Sequence, residues 1–456
     1  MLKALSLLGA TLVACGLLAG CEAGESPPDS LAALRGNLPR EEGLNVIAVS
    51  FDALRADALG IYGYGLKTSP NIDRFADRCL VFDNAYTVAP VTPTSFAATW
   101  TGLLPTRVFH AWNLAYDDTI ARRFSQAGYS TAAFINNAQL TPERRFQTGF
   151  ELYDFYRSVP DEQILESALI WFSEHRRKKI FAWVHFLTPH APYEYRPASA
   201  AFYDPDYQGP FEKTTGGEFE VTTATDLARV RSLYDGEVFY ADSLFERLRA
   251  GLEEMGLLEN SILLLTSDHG EEFQEHGRLQ HDRLYEEHVR VPLLLYHPRV
   301  RSHHRSPVLV SNVDLLPTLL SLVGAEYPAA IDGRDLTSLT DGSQLLVAVA
   351  MTGKEWWLSI RDADYKLLRS CKPDEESREL YHLAADPGET TNLLADSDRL
   401  TEHRRVLSSL DSNLGTILGG NPCEVTRDAV QGKSPTVGLD RETIEALKAL
   451  GYLGGD

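Results

Sequence analysis

A doubly wound α/β domain with a mostly parallel sheet and helices on both faces, followed by a smaller sheet-and-helix domain, is the fold this sequence predicts. Three observations carry it. From residue 45 to about 325, short apolar runs alternate with amphipathic segments, the pattern of strands whose connecting helices cover both faces of a sheet. Two of those runs, 45–51 and 261–266, end in Asp52 and in the Asp268-His269 pair, as buried parallel strands do when they deliver ligands at their carboxyl ends. Beyond Ile331-Asp332-Gly333 the strands become shorter and the pattern changes.

The elements follow in order. The run NVIAVSF (45–51) is a strand ending at Asp52, and Ser69-Pro70-Asn71 opens a short helix over 72–78 by the preference for proline at a helix start. The stretch 88–102 is small, hydroxyl-rich and broken by proline. A helix over 119–127 stops at Gly128, and 130–135 is the next buried strand. Residues 161–179 form an amphipathic helix with cations in its last turn, where the helix dipole favours them. The strand 180–186 leads into Thr188-Pro189-His190-Ala191-Pro192-Tyr193. Residues 195–225, rich in Tyr, Pro, Gly and Thr, predict a surface loop over the site. Ala241, Phe245, Leu248, Leu252 and Met255 recur at helical spacing just before the 261–266 strand. A second apolar run, 291–296, follows it, and the later strands are 346–351, 356–360 and 365–368, with a final helix over about 399–414.

The bulk properties narrow the function. A chain of 456 residues suffices for one large and one smaller domain. A formal charge of -21 excludes a nucleic-acid partner that needs a basic face, but not an anionic substrate held in a local cationic pocket. Lys3 and the apolar residues 4–20 predict an export signal. Its end, Leu18-Ala19-Gly20-Cys21, resembles the lipobox of bacterial lipoproteins, which implies lipidation of Cys21 and a periplasmic or cell-surface protein touching the membrane only through its anchor. Leu12-Val13-Ala14-Cys15 is a second candidate, and plain secretion is the alternative. The domain plan is therefore a signal over 1–21, a polar tether over 22–42, a catalytic domain over 43–330 and a C-terminal subdomain over 331–456. Three cysteines follow the signal: a Cys371–Cys423 bridge fits an oxidising compartment, the sequence leaving the pairing open, and Cys79 reads as a buried apolar residue.

Chemistry concentrates in two places. Asp268 and His269 stand between two buried strands, with Gly270 letting the backbone turn away, and an Asp-His pair in a cleft can ligate one divalent cation. The competing structural reading is a capping Asp and a solvated His. Asp52 is a second carboxylate that a parallel sheet can bring beside them.

These residues resemble the sulfatase branch of the alkaline-phosphatase superfamily. The resemblance rests on NVIAVSFDALRADALGIYGY (45–64), TSPNIDRFA (68–76), the TSDHGEE…EHG…HDRLYEE segment (266–287), LYHLAADPGETTNLL (380–394) and the closing ALGYLG (449–454). It implies that Asp52, Asp268 and His269 hold one divalent metal cation, Ca, Mn or Zn. It also implies that His190 and His281 contact an anionic ester substrate, on a glycan or a lipid headgroup. His276 reads as shaping its loop, while Arg107 and His110 are further sources of positive charge.

The resemblance breaks at the nucleophile. Sulfatases carry Cys or Ser in a C/S-x-P-x-R motif, oxidised to formylglycine, and two residues before Pro93 stands Val91. Ten residues before Gly102, the spacing of related phosphodiesterases and phosphotransferases, stands Thr92, with Thr94 and Ser95 as alternatives. Thr92 is therefore expected as a metal-activated alcohol and as a metal ligand, the competing reading being a helix cap. A formylglycine hydrate expels sulfate by collapsing to an aldehyde, whereas a threonine ester needs direct attack on the bound group, which suits phosphorus better than sulfur. The expectation is a phosphoester hydrolase or transferase. A sulfuric ester hydrolase acting on sulfated glycans is the alternative enzyme, and an inactive sulfatase-like binding lipoprotein the alternative of another class.

Overall fold

The structure, a computed structural model, describes residues 28–431 apart from 111–112, 216–218, 301–302, 343, 353–354, 373–375 and 396, together with Glu445. The expected signal and Cys21 lie outside the described residues.

Eight strands form the main sheet: β1 (Asn45–Asp52), β2 (Cys79–Tyr86), β3 (Ser130–Asn136), β4 (Leu152–Tyr156), β5 (Ile180–Pro189), β6 (Ser261–Ser267), β7 (Leu293–Tyr296) and β8 (His304–Ser311). Their order is β8-β2-β7-β6-β1-β5-β3-β4, and every neighbouring pair is parallel except the two that involve β7. The mostly parallel, doubly wound sheet expected from the alternating pattern is what forms.

Both faces are covered because successive strand side chains point to opposite sides. Val46 and Ala48 pack into one core with α3 (Thr92–Thr101), α4 (Ile120–Gln126) and α7 (Leu315–Leu322). Ile47 and Val49 pack into the other with α2 (Pro70–Ala76), α5 (Asp161–His175) and α6 (Ala224–Glu254). β1 is buried along its whole length, which explains why it reads as a continuous apolar run.

The segment 28–42 departs from the expected tether. Pro28–Gly36 is a helix, α1, and Leu31, Leu34 and Leu38 are buried in the first core. Their three- and four-residue spacing sets them on one face, which gives the segment enough apolar surface to fold rather than stay solvated. Arg40 then pairs with Asp335, and the Glu41 amide donates to the Leu322 carbonyl.

Beyond 331, four antiparallel strands, β9 (Leu346–Thr352), β10 (Glu355–Arg361), β11 (Tyr365–Cys371) and β12 (Glu376–His382), form a meander. Helices α8 (Ser397–Leu418) and α9 (Pro422–Gln431) follow. Val349, Leu358 and Ile360 join the same core as Trp100, so the smaller sheet shares apolar surface with the main domain. A disulfide joins Cys371 of β11 to Cys423 of α9, with the Cα atoms 5.4 Å apart. Cys79 is buried, as expected.

Candidate metal and catalytic centre

β1 and β6 are neighbours in register, Phe51 opposite Ser267, so the chain positions that follow them, 52 and 268, emerge side by side. Ser267 locks the two strand ends together: its hydroxyl donates to the Phe51 carbonyl at 2.8 Å and accepts from the Leu54 amide at 2.9 Å. Asp268 Oδ1 accepts from the amides of Ala53 and His269, at 3.2 and 3.0 Å. On the other side, Asp52 Oδ2 accepts from Asn137 Nδ2 at 2.5 Å and lies 3.5 Å from His185 Nε2.

These bonds leave Asp52 Oδ1 and Asp268 Oδ2 buried without a hydrogen-bond partner. His269 donates from Nδ1 to the Gly270 carbonyl at 2.9 Å, which turns Nε2 inward, 3.6 Å from Asp52 Oδ1 and 3.5 Å from Asp268 Oδ2. Two orphaned carboxylate oxygens and an imidazole lone pair would repel one another in a dry interior unless a positive charge lay between them. The donor set fits a divalent cation, and the carbonyl that fixes the imidazole tautomer is the usual support of a ligating histidine.

Thr92 is the first residue of α3 and is fully buried. Its Oγ1 lies 3.4 Å from His269 Nε2. The neighbouring hydroxyls are committed elsewhere. Thr94 Oγ1 donates to the Val91 carbonyl at 2.8 Å, and Ser95 Oγ donates to the Asp268 carbonyl at 2.8 Å, pinning the helix start against the β6 end. Among the three alternatives, Thr92 alone has its hydroxyl at the metal-type cluster.

The two other predicted histidines face the same centre. The His281 ring centroid is 4.1 Å from that of His269 and 5.1 Å from that of His190, and the His190 and His269 centroids are 6.5 Å apart. His190 donates from Nδ1 to the Ala191 carbonyl at 2.6 Å. His281 donates from Nδ1 to Glu271 Oε1 at 3.0 Å, and Glu271 Oε2 accepts from the Tyr193 hydroxyl at 2.6 Å. Glu271 is fully buried and escaped the sequence reading; its place two residues after His269 was the available signal. Tyr193, two residues before the 195–225 stretch expected as a loop over the site, reaches that centre through Glu271.

Burial governs the protonation states. It pushes His190 and His269 below the usual imidazole value, and His281 down to about 3, so all three are neutral in the absence of a ligand. Burial, and next the Asp268 carboxylate, push Asp52 up. For Asp268 the burial effect is outweighed by the His269 and His185 imidazoles and the hydrogen bond from the Ala53 amide, and its carboxyl lies below the ordinary value. Arg107 lies apart, half exposed and paired with Asp332 at 2.6 Å. The side chain of His110 lies outside the described residues.

Comparisons with known proteins place the chain in a family and its fold among solved structures. The family model described as Sulfatase matches residues 44–325, and one described as N-sulphoglucosamine sulphohydrolase, C-terminal, matches residues 274–416. The chain is similar to arylsulfatase K of Rattus norvegicus, 23% identical over 449 residues that cover 82% of this chain and 78% of that protein. Its fold is similar to that of a protein solved in complex with its substrate D-glucosamine-2-N,6-O-disulfate (TM-score 0.71, 20% identity, 84% of this chain and 99% of that one). It is also similar to the phosphonate monoester hydrolase of Agrobacterium radiobacter (TM-score 0.67, 20% identity, 81% and 96%).

Proposed function

Because this chain belongs to the sulfatase family, whose members are ester hydrolases, we propose that it cleaves anionic phosphoesters with Thr92 as its nucleophile. One observation carries the reading: the Thr92 hydroxyl, at the amino end of α3, lies against the Asp52–Asp268–His269 cluster. A divalent cation bound there would supply Lewis acidity, lowering the pKa of an alcohol and drawing charge from a phosphoryl oxygen.

The chain's own residues do the rest. His269 Nε2, 3.4 Å away, orients the Thr92 hydroxyl, and the first turn of α3 favours negative charge on Oγ1. Oγ1 forms a bond to phosphorus as the bond to the leaving oxygen breaks. His281 or His190, neutral in the free protein, is placed to bind the transferred group and to relay to that oxygen the proton that Thr92 gives up. Water, or an acceptor alcohol, then attacks phosphorus and frees Thr92. No aldehyde exit exists on threonine, so sulfate would have to be released by attack at sulfur, and that argues for phosphorus.

The relatives favour a second reading, cleavage of sulfuric esters on glycans, since arylsulfatase K and a protein bound to a disulfated glucosamine are among them. Turnover of p-nitrophenyl phosphate, bis(p-nitrophenyl) phosphate and p-nitrophenyl sulfate separates the two. We expect a phosphorus ester to give the highest kcat/KM, and Thr92→Ala to lower it by on the order of 10³-fold or more. Faster sulfate cleavage that survives in Thr92→Ala would overturn the proposal, and no turnover on any ester would select a binding protein. The lipobox-like Cys21 and the Cys371–Cys423 disulfide support an exported, lipid-anchored protein. No helix among the described residues is long and apolar enough to cross a membrane.

A further inference from the structure

A second set of buried polar atoms without hydrogen-bond partners lies in the seam between the main domain and the C-terminal sheet. His276 Nε2 and Glu287 Oε1 face each other at 3.5 Å, and neither makes a hydrogen bond. Their side chains are 13% and 7% exposed. Glu389, fully buried, completes a group whose ligand-type atoms all lie within 4.8 Å of one another. The three come from separate segments: the tight turn closed by Gly277, the short helix Glu286–Val289 and the loop after β12. The Tyr285 ring stacks on His276 with centroids 3.6 Å apart and planes 5° apart, and the Glu272 carboxylate accepts from the His276 amide, so the imidazole is held in place.

The spacing repeats that of the catalytic cluster, where His269 Nε2 stands 3.5 and 3.6 Å from its two carboxylate oxygens. Such separations are long for a hydrogen bond, yet about 3.4 Å is the ligand-to-ligand edge of a tetrahedron with metal bonds of about 2.1 Å. Charge points the same way. Arg361 and Lys366 both pair with Glu286, and Lys366 also lies 2.9 Å from Glu389 Oε1, whereas the ion-pair partners of Glu287 among the described residues are the imidazoles of His276 and His288. Glu286 and Glu287 also line a cavity of about 450 Å³ through which an ion can arrive.

We propose that His276, Glu287 and Glu389 form a second site for a divalent cation, separate from the catalytic centre, which clasps the C-terminal sheet to the main domain. One nitrogen and two carboxylate donors select zinc or manganese over calcium. The competing arrangement is a proton on Glu287, whose carboxyl burial pushes up, shared with His276. The site does not depend on which ester the enzyme cleaves.

Metal content after dialysis against Zn²⁺, read by elemental mass spectrometry, tests it, with thermal melting as a second readout. The expected result is two equivalents in the wild type and one in Asp268→Ala, which leaves only the seam site. Glu287→Gln and His276→Gln should each hold one, and Asp268→Ala/Glu287→Gln none. Zinc should raise the Tm of Asp268→Ala and leave that of the double variant unmoved. A metal-free Asp268→Ala chain whose Tm ignores zinc, or a Glu287→Gln chain that keeps two equivalents, would overturn the proposal. Should Glu287→Gln fail to fold, His276→Gln and the zinc response of Asp268→Ala still decide the question.

Discussion

Glu271 links His281 to Tyr193. Its carboxylate takes hydrogen bonds from His281 Nδ1 and the Tyr193 hydroxyl, and so fixes the tautomer that presents His281 Nε2 to the centre. Glu271→Gln keeps the size but can only satisfy one donor, and we expect it to lower kcat about 10–100-fold with a smaller change in KM, Tyr193→Phe having a weaker effect of the same kind. An unchanged kcat in Glu271→Gln would remove Glu271 from the machinery. His185, beneath Asp52, offers a stability test. Burial pushes it from 6.5 to about 4. The unfolded chain therefore binds a proton that the native chain refuses between those values, and stability present above pH 6.5 is lost as pH falls toward 4, at up to roughly 1.4 kcal/mol per pH unit. The urea midpoint of the metal-stripped protein should fall less steeply from pH 7 to 5 in His185→Gln than in wild type; equal slopes would contradict this. Asp52, Asp268 and His269 were legible because polar residues at the tip of an apolar strand have little else to do. Glu271 and His185 were not, since one sits in a run of acidic residues and the other inside a strand, where only packing reveals what they face.

Burial accounts for part of what was legible among the elements, although β2, largely buried, was not read as a strand. β1, β5 and β6, central and covered on both faces, read as continuous apolar runs. β4 and β8 lie at the sheet edges and left weaker patterns: β4 is exposed or half-buried throughout, and β8 contains Pro307, tolerated where an edge irregularity between Ser306 and Leu309 relaxes the pairing. β12 is half solvated and was missed for the same reason. α1 reads in the sequence as part of a tether because polar residues surround its two core leucines, Leu31 and Leu34. α3 shows how an element makes a site: its hydroxyls were visible as a cluster, but which one meets the metal-type group depends on where the helix begins, and that is set by the Ser95 bond to the Asp268 carbonyl.

Across the whole molecule, the two domains are held by shared core and by the charged seam around Glu286, Glu287 and Glu389, and the Cys371–Cys423 bridge ties strand to helix within the smaller one. The bridge closes a loop with a sequence separation of 52, for which the chain-entropy relation gives about 4 kcal/mol. Reduction with dithiothreitol, or Cys423→Ser, should therefore lower the Tm by several degrees while leaving the catalytic strand ends, on another sheet, able to turn over substrate. A Tm indifferent to both would show that the bridge does not constrain the chain.

The central claim is that the Thr92 alcohol, held against Asp268 and His269, takes the transferred group. Rapid quenching of the enzyme during turnover of a phosphorus ester, followed by peptide mass spectrometry, reads it most directly. A phosphoryl adduct on Thr92, absent from Thr92→Ala, is the predicted result. An adduct on another residue, or full turnover by Thr92→Ala, would contradict the account.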